Sequence, residues 1–164
     1  MFKVDDYIIY GRTGVCQVTE IKKGESMGNA GTDYYVLNPV FENNSVIMTP
    51  VDNKKIFMRE IISKQEIISM IDSVSDEETI WIDDDKIRSE KFKSSIKAGI
   101  CEEWIRIIKT IHLKIEERKS IGKKISQMDE VILKEAKKLL YEEFALVLEI
   151  LPEEVETFIY KQIG

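Results

Sequence analysis

Histidine occurs once in the 164 residues, cysteine twice and proline three times. Cys16 and Cys101 stand far apart with no CxxC spacing, which signals neither a metal knuckle nor a disulfide framework and leaves reduced core thiols as the reading. The lone His112 lies in "IKTIHLKI", where helical spacing makes it a packing or surface residue. No serine or cysteine occupies a nucleophile motif, and "KKGESMGNAG" lacks the GxxxxGKS/T order that cradles phosphates, so no enzyme and no cofactor are expected. Asp83, Asp84 and Asp85 are adjacent at a helix start and point in different directions, so they are not expected to hold a metal. No apolar stretch approaches the roughly 20 residues of a membrane span. "MFKVDDYIIY" carries two acids rather than a basic leader, so a cytoplasmic protein is expected.

What is present is charge, unevenly placed. The formal net charge is -6, which argues against nucleic acid only if it is spread evenly. From Asp72 to Asp85 there are seven acids and no base; from Lys86 to Lys124 there are twelve bases and five acids; from Ile125 onward there are four bases and nine acids. A basic segment of local charge +7 thus lies between two acidic ones. Long surface helices commonly carry many lysines, so charge alone does not decide between a solvated face and a polyanion-binding one.

Over the first seventy residues the apolar pattern has period two or comes in short runs. "DYIIY", "GVCQVTEI", "DYYVLNPV", "SVIMTP" and "IFMRE" read as five short strands, separated by "GRTG", "KKGESMGNAGT" and "ENN". Gly11 and Gly14 permit a tight hairpin turn. Strands so few and short predict a small, strongly bent, partly open barrel, whose free edge is a template for pairing with another chain. Beyond this the period becomes 3.6. Ser63 and Glu66 form a capping box opening "KQEIISMIDSV", and helices are predicted over "DDDKIRSEKFKSSIKA", "ICEEWIRIIKTIHLKIEERKS", "QMDEVILKEAKKLLYEEFALVLEIL" and "PEEVETFIYKQ". Gly99 and Gly122 mark turns, Ser126 with Asp129 reads as a second capping box, and Pro152 suits a first helical position. "DSVSDEETI" is the expected join between the two parts, and whether "KQEIISMID" packs on the barrel or on the helices is left open.

The order "FKVDDYIIYGRTGVCQVTEI", "DYYVL", "SVIMTP", then "IWIDDDKIRSEKFKSSIKAG" and "KKLLYEEFALVLEI", resembles the CarD/CdnL family of bacterial transcription regulators over nearly the whole chain. The opening pattern alone fits any small SH3-like barrel; the helical half makes the resemblance specific. It implies an α+β protein with a Tudor/SH3-like bent β-barrel at residues 1–62, a helix and linker at 63–80, and an all-α DNA-binding domain at 81–164. It further implies that the first module, shared with transcription-repair coupling factors, binds the RNA polymerase β subunit, and that the helical part contacts promoter DNA at the upstream edge of the melted bubble. A monomer associated with the nucleoid, without sequence-specific DNA readout and without a membrane partner, is the expected form.

The resemblance places particular residues. Trp81 matches the family's wedge tryptophan just ahead of the first DNA-binding helix; an indole stacks on a tilted base and offers an N–H to a minor-groove acceptor. Trp104 shares helical spacing with Ile107, Ile108 and Ile111 and is assigned to the core. Arg88, Lys91 and Lys97 recur close to one helix face, with Lys86 and Lys93 nearby, and are expected to track phosphates without specifying sequence. Asp83, Asp84 and Asp85 depart from more basic relatives: they favour the helix start and disfavour DNA, a deficit that tethering at millimolar effective concentration would offset. On the polymerase side the match falls on "SVIMTP", with Ser45, Val46, Ile47, Met48 and Thr49 as the edge that pairs by β-augmentation. The competing reading is a protein-binding adaptor whose helical half recruits a partner without touching DNA; a continuous basic patch beside Trp81 separates the two.

Overall fold

The computed structural model describes residues 1–28, 31–42, 44–75 and 79–163. The chain forms two compact units, Met1–Ile61 and Ile62–Gly164. This division falls earlier than "DSVSDEETI", because the helix between them belongs with the helical unit. Asp76, Glu77 and Glu78 of that stretch lie outside the described residues.

The first unit is a five-stranded antiparallel sheet of β1 (Tyr7–Tyr10), β2 (Gly14–Lys22), β3 (Tyr34–Pro39), β4 (Ile47–Pro50) and β5 (Met58–Glu60), in the order β4-β3-β2-β1-β5. A register shift between Val18 and Glu20 bends β2 against β3 and gives the sheet its curvature. The concave side closes on Ile8, Tyr10, Cys16, Val18, Tyr35 and Leu37. The β1–β2 turn requires glycine twice. Gly11 has φ 48° and Gly14 φ 89°, and a Cβ on Gly11 would come 2.6 Å from Ile56 Cγ2.

The second unit holds α1 (Lys64–Ser75), α2 (Asp85–Lys97), α3 (Cys101–Ser120), α4 (Gln127–Leu148) and α5 (Pro152–Ile163). Helix α1 packs on α3, α4 and α5 through Ile67, Met70, Ile71 and Val74, which resolves where "KQEIISMID" belongs. Its capping box is reciprocal: Glu66 N–H donates to Ser63 Oγ at 3.1 Å and Ser63 N–H to Glu66 Oε2 at 2.8 Å. The second one is only half a box. Asp129 N–H donates to Ser126 Oγ at 3.1 Å, but the Asp129 carboxylate reaches across to α2. Trp104 is fully buried with its N–H on the Ile96 carbonyl at 3.2 Å, as its spacing predicts. Buried Glu143 accepts from Ile62 N–H at 3.0 Å and from the Cys101 thiol at 2.8 Å, which anchors the start of the unit to α4. Helix α4 ends on Glu149 in a left-handed conformation, φ 57° and ψ 43°, where glycine is the usual residue. Among the described residues no helix is long and apolar enough to cross a membrane.

Candidate functional site

Trp81 lies four residues ahead of α2 and is half-buried. Its Nε1–H donates to Asp83 Oδ1 at 3.2 Å, so part of the acidic run serves the indole itself. Three cations gather on the ring: the Arg88 guanidinium carbon is 4.0 Å from the ring centre, Lys114 Nζ 4.9 Å and the Arg118 guanidinium carbon 6.0 Å. Cations over an indole face are attracted by its quadrupole.

Arg88 is not a phosphate-tracking residue, contrary to the expectation from spacing. Arg88, Phe92 and Ile96 recur at i, i+4 and i+8 and form the buried stripe of α2, with Arg88 only 1% exposed. Its Nε and Nη2 donate to Asp129 Oδ1 and Oδ2, both at 2.9 Å; Nη2 also donates to Asp85 Oδ1 at 2.7 Å, and Nη1 to the carbonyls of Ile82 at 2.8 Å and Asp83 at 3.4 Å. Burial disfavours the charged guanidinium, but the hydrogen bonds to Asp129 and Asp85 and the negative charges of those carboxylates together leave its pKa raised above the ordinary value. Asp84 caps the same helix by accepting Ile87 N–H at 2.9 Å. The acidic triplet is therefore divided among three structural tasks: the indole, the helix cap and the arginine.

Lys86, Lys91, Lys93 and Lys97 are exposed on α2. At about 100° per residue Lys86, Lys93 and Lys97 share one face, while Lys91 stands on a different flank. Besides buried Arg88, the bases over the Trp81 ring are Lys114 and Arg118 of α3, one turn apart, which spacing on α2 did not indicate. From Arg118 the positive surface continues. Its guanidinium donates to the Lys124 carbonyl at 3.2 Å, beside a cavity of ≈ 480 Å³ floored by Ile115 and Leu133 and rimmed by Lys119, Lys123, Lys124, Lys134 and Lys137, against which Glu130 is the lining carboxylate.

In the first unit β4 is an edge strand, hydrogen-bonded only to β3 among the described strands. Ser45 and Val46 precede it, both exposed, and the strand proper begins at Ile47. Side chains alternate. Ile47 packs on the core and Thr49 is buried, its hydroxyl accepting from Asn53 Nδ2 at 2.8 Å, while Met48 is exposed. Val40, Phe41, Val46 and Met48 place four exposed apolar side chains within one hairpin. Asn43 of that hairpin lies outside the described residues.

A curved antiparallel sheet with an apolar edge strand, on one chain with a helical unit, defines an α+β protein of two units. Residues 2–62, nearly all of the first unit, match the CarD-like/TRCF RID domain. The likeness covers the first unit alone and is to a domain type associated with RNA polymerase interaction in transcription. A search of curated proteins returns no match.

Proposed function

We propose that this protein is a non-enzymatic transcription regulator of the bacterial cytoplasm and nucleoid that grips the RNA polymerase β subunit through β4 and stabilises the promoter open complex with its helical unit. The observation that carries the reading is the position of Trp81. Its indole stands ahead of α2, half-exposed, with Lys114 and Arg118 beside it to meet phosphates flanking a stacked base. Lys119, Lys123 and Lys124 extend the positive surface from Arg118 and take over the phosphate role first assigned to Arg88. Lys86, Lys91 and Lys97 add exposed charge on α2. The net charge of -6 keeps affinity for free DNA low, and tethering to polymerase supplies the local concentration.

On the polymerase side, backbone groups of Ile47 to Thr49 pair with a strand of β, and Val46 and Met48 meet its surface. Met48→Glu places a charge on this edge without touching the core. It is expected to abolish capture of the β subunit by the full chain while leaving thermal unfolding unchanged. Undiminished capture by Met48→Glu contradicts the assignment of β4. The role of the bases is read from salt: with three or four phosphates contacted, the DNA-dependent part of the affinity falls with a log–log slope of about -3. A slope near zero favours the adaptor.

A further inference from the structure

Arginine carries five N–H donors in one plane and no acceptor. In Arg88 the one Nε donor and both nitrogens of the fork are engaged in that plane, through five hydrogen bonds to Asp129 (two), Asp85, Ile82 and Asp83. Its edge is saturated and its orientation fixed from three elements: α4, the first turn of α2 and the segment ahead of α2. What remains is the π-face, and the guanidinium carbon sits over the Trp81 ring, 4.0 Å from the ring centre. A buried charge whose every donor is committed has no capacity left for an outside ligand, yet it holds a flat, rigid platform under an otherwise half-exposed ring.

We infer that Arg88 is the positioning residue for Trp81, a platform locked edgewise by Asp129 of α4 that fixes the indole ahead of α2 in the orientation in which it meets the DNA. The acidic run is part of the same device: Asp85 holds the platform, and Asp83 holds the indole N–H. The interaction is sensitive to geometry as well as to charge. Lysine keeps the charge but cannot make the two-pronged contact to Asp129 or offer a planar face. Preorganisation of this kind lowers the ordering cost when the ring engages its target.

The inference rests on the proposed DNA role of Trp81 for one of its two readouts only. The first readout needs no polymerase. In a Trp104→Phe background, where Trp81 is the sole tryptophan, Arg88→Lys is expected to raise acrylamide quenching of Trp81 by about two-fold or more. Unchanged quenching overturns the platform. If Arg88→Lys does not fold, the wild-type chain decides: the Trp81 indole ¹⁵N–¹H group is expected to be as rigid by heteronuclear NOE as the backbone of α3, and mobility like that of a free side chain overturns the inference. The second readout is a double-mutant cycle on open-complex lifetime. Arg88→Lys is expected to shorten the lifetime about ten-fold in the wild-type background and to add little in Trp81→Ala, since it acts through the ring. Additive losses mean that Arg88 is merely structural. If Trp81→Ala leaves the lifetime untouched while the quenching result holds, the DNA role fails and the platform stands.

Discussion

Asp129→Ala removes one partner of the ion pair between α2 and α4, and its cost follows from burial. The side chains of Arg88 and Asp129 are 2% and 3% exposed, and two hydrogen bonds of 2.9 Å join them. Removing one member of such a pair strands the other charge out of water, which costs about 3–5 kcal/mol. Asp85 remains at 2.7 Å from Arg88, but it is 77% exposed, and the Ile82 carbonyl is retained. These contacts put the expected loss at the lower end, about 3 kcal/mol. Against a total of about 5–15 kcal/mol this is a large fraction of stability. Urea denaturation followed by helical circular dichroism reads it. Two controls bracket the mechanism. Asp85→Asn alters a solvated partner and is expected to cost less than about 1 kcal/mol. The double replacement Arg88→Met with Asp129→Leu removes both charges and is expected to recover most of the loss, because the penalty lies in the unpaired charge. A loss below about 1 kcal/mol for Asp129→Ala, or one no greater than for Asp85→Asn, refutes the buried pair as the tie between α2 and α4.

Glu149→Gly is expected to stabilise the helical unit by about 0.5–1 kcal/mol, because Glu149 ends α4 at φ 57° where a side chain is strained; calorimetric melting measures it. Burial, and then the Lys137 ammonium, hold the His112 imidazole below its ordinary value of 6.5, with Glu116 and Glu156 opposing them. Between the folded and unfolded values the unfolded chain binds more protons, so stability rises with pH up to about the ordinary value and is lost as pH falls below it. Denaturation at a series of pH values should show this slope, and His112→Gln should flatten it.

Local rules carried most of the fold. The strand runs, the helix spans, the Ser63 capping box and Pro152 at a first helical position all express backbone preferences within a few residues. The site was legible in part. The role proposed for Trp81 comes from the resemblance alone, while its polar surroundings follow from Thr79 and the aspartates beside it. Arg88 was misread because charge is ordinarily a surface property. The corrective signal was present in its i, i+4, i+8 register with Phe92 and Ile96, the same spacing that identified Trp104 as core. Asp129 was read as a capping acid for the same local reason, and its bond to Arg88 spans 41 residues. Lys114 and Arg118 come to Trp81 only through the packing of α3 beside the segment ahead of α2, and no periodicity within one helix records that.

The central claim is that Trp81 holds the promoter fork open while the first unit holds polymerase. The lifetime of open complexes, on a promoter whose melting limits initiation, tests it most directly when wild type is compared with Trp81→Ala at equal occupancy of polymerase. Loss of a base-stacking aromatic, about 1–3 kcal/mol, predicts collapse accelerated by a factor of the order of ten, with capture of the β subunit unchanged. An unchanged lifetime, with the variant folded and bound to polymerase, contradicts the account.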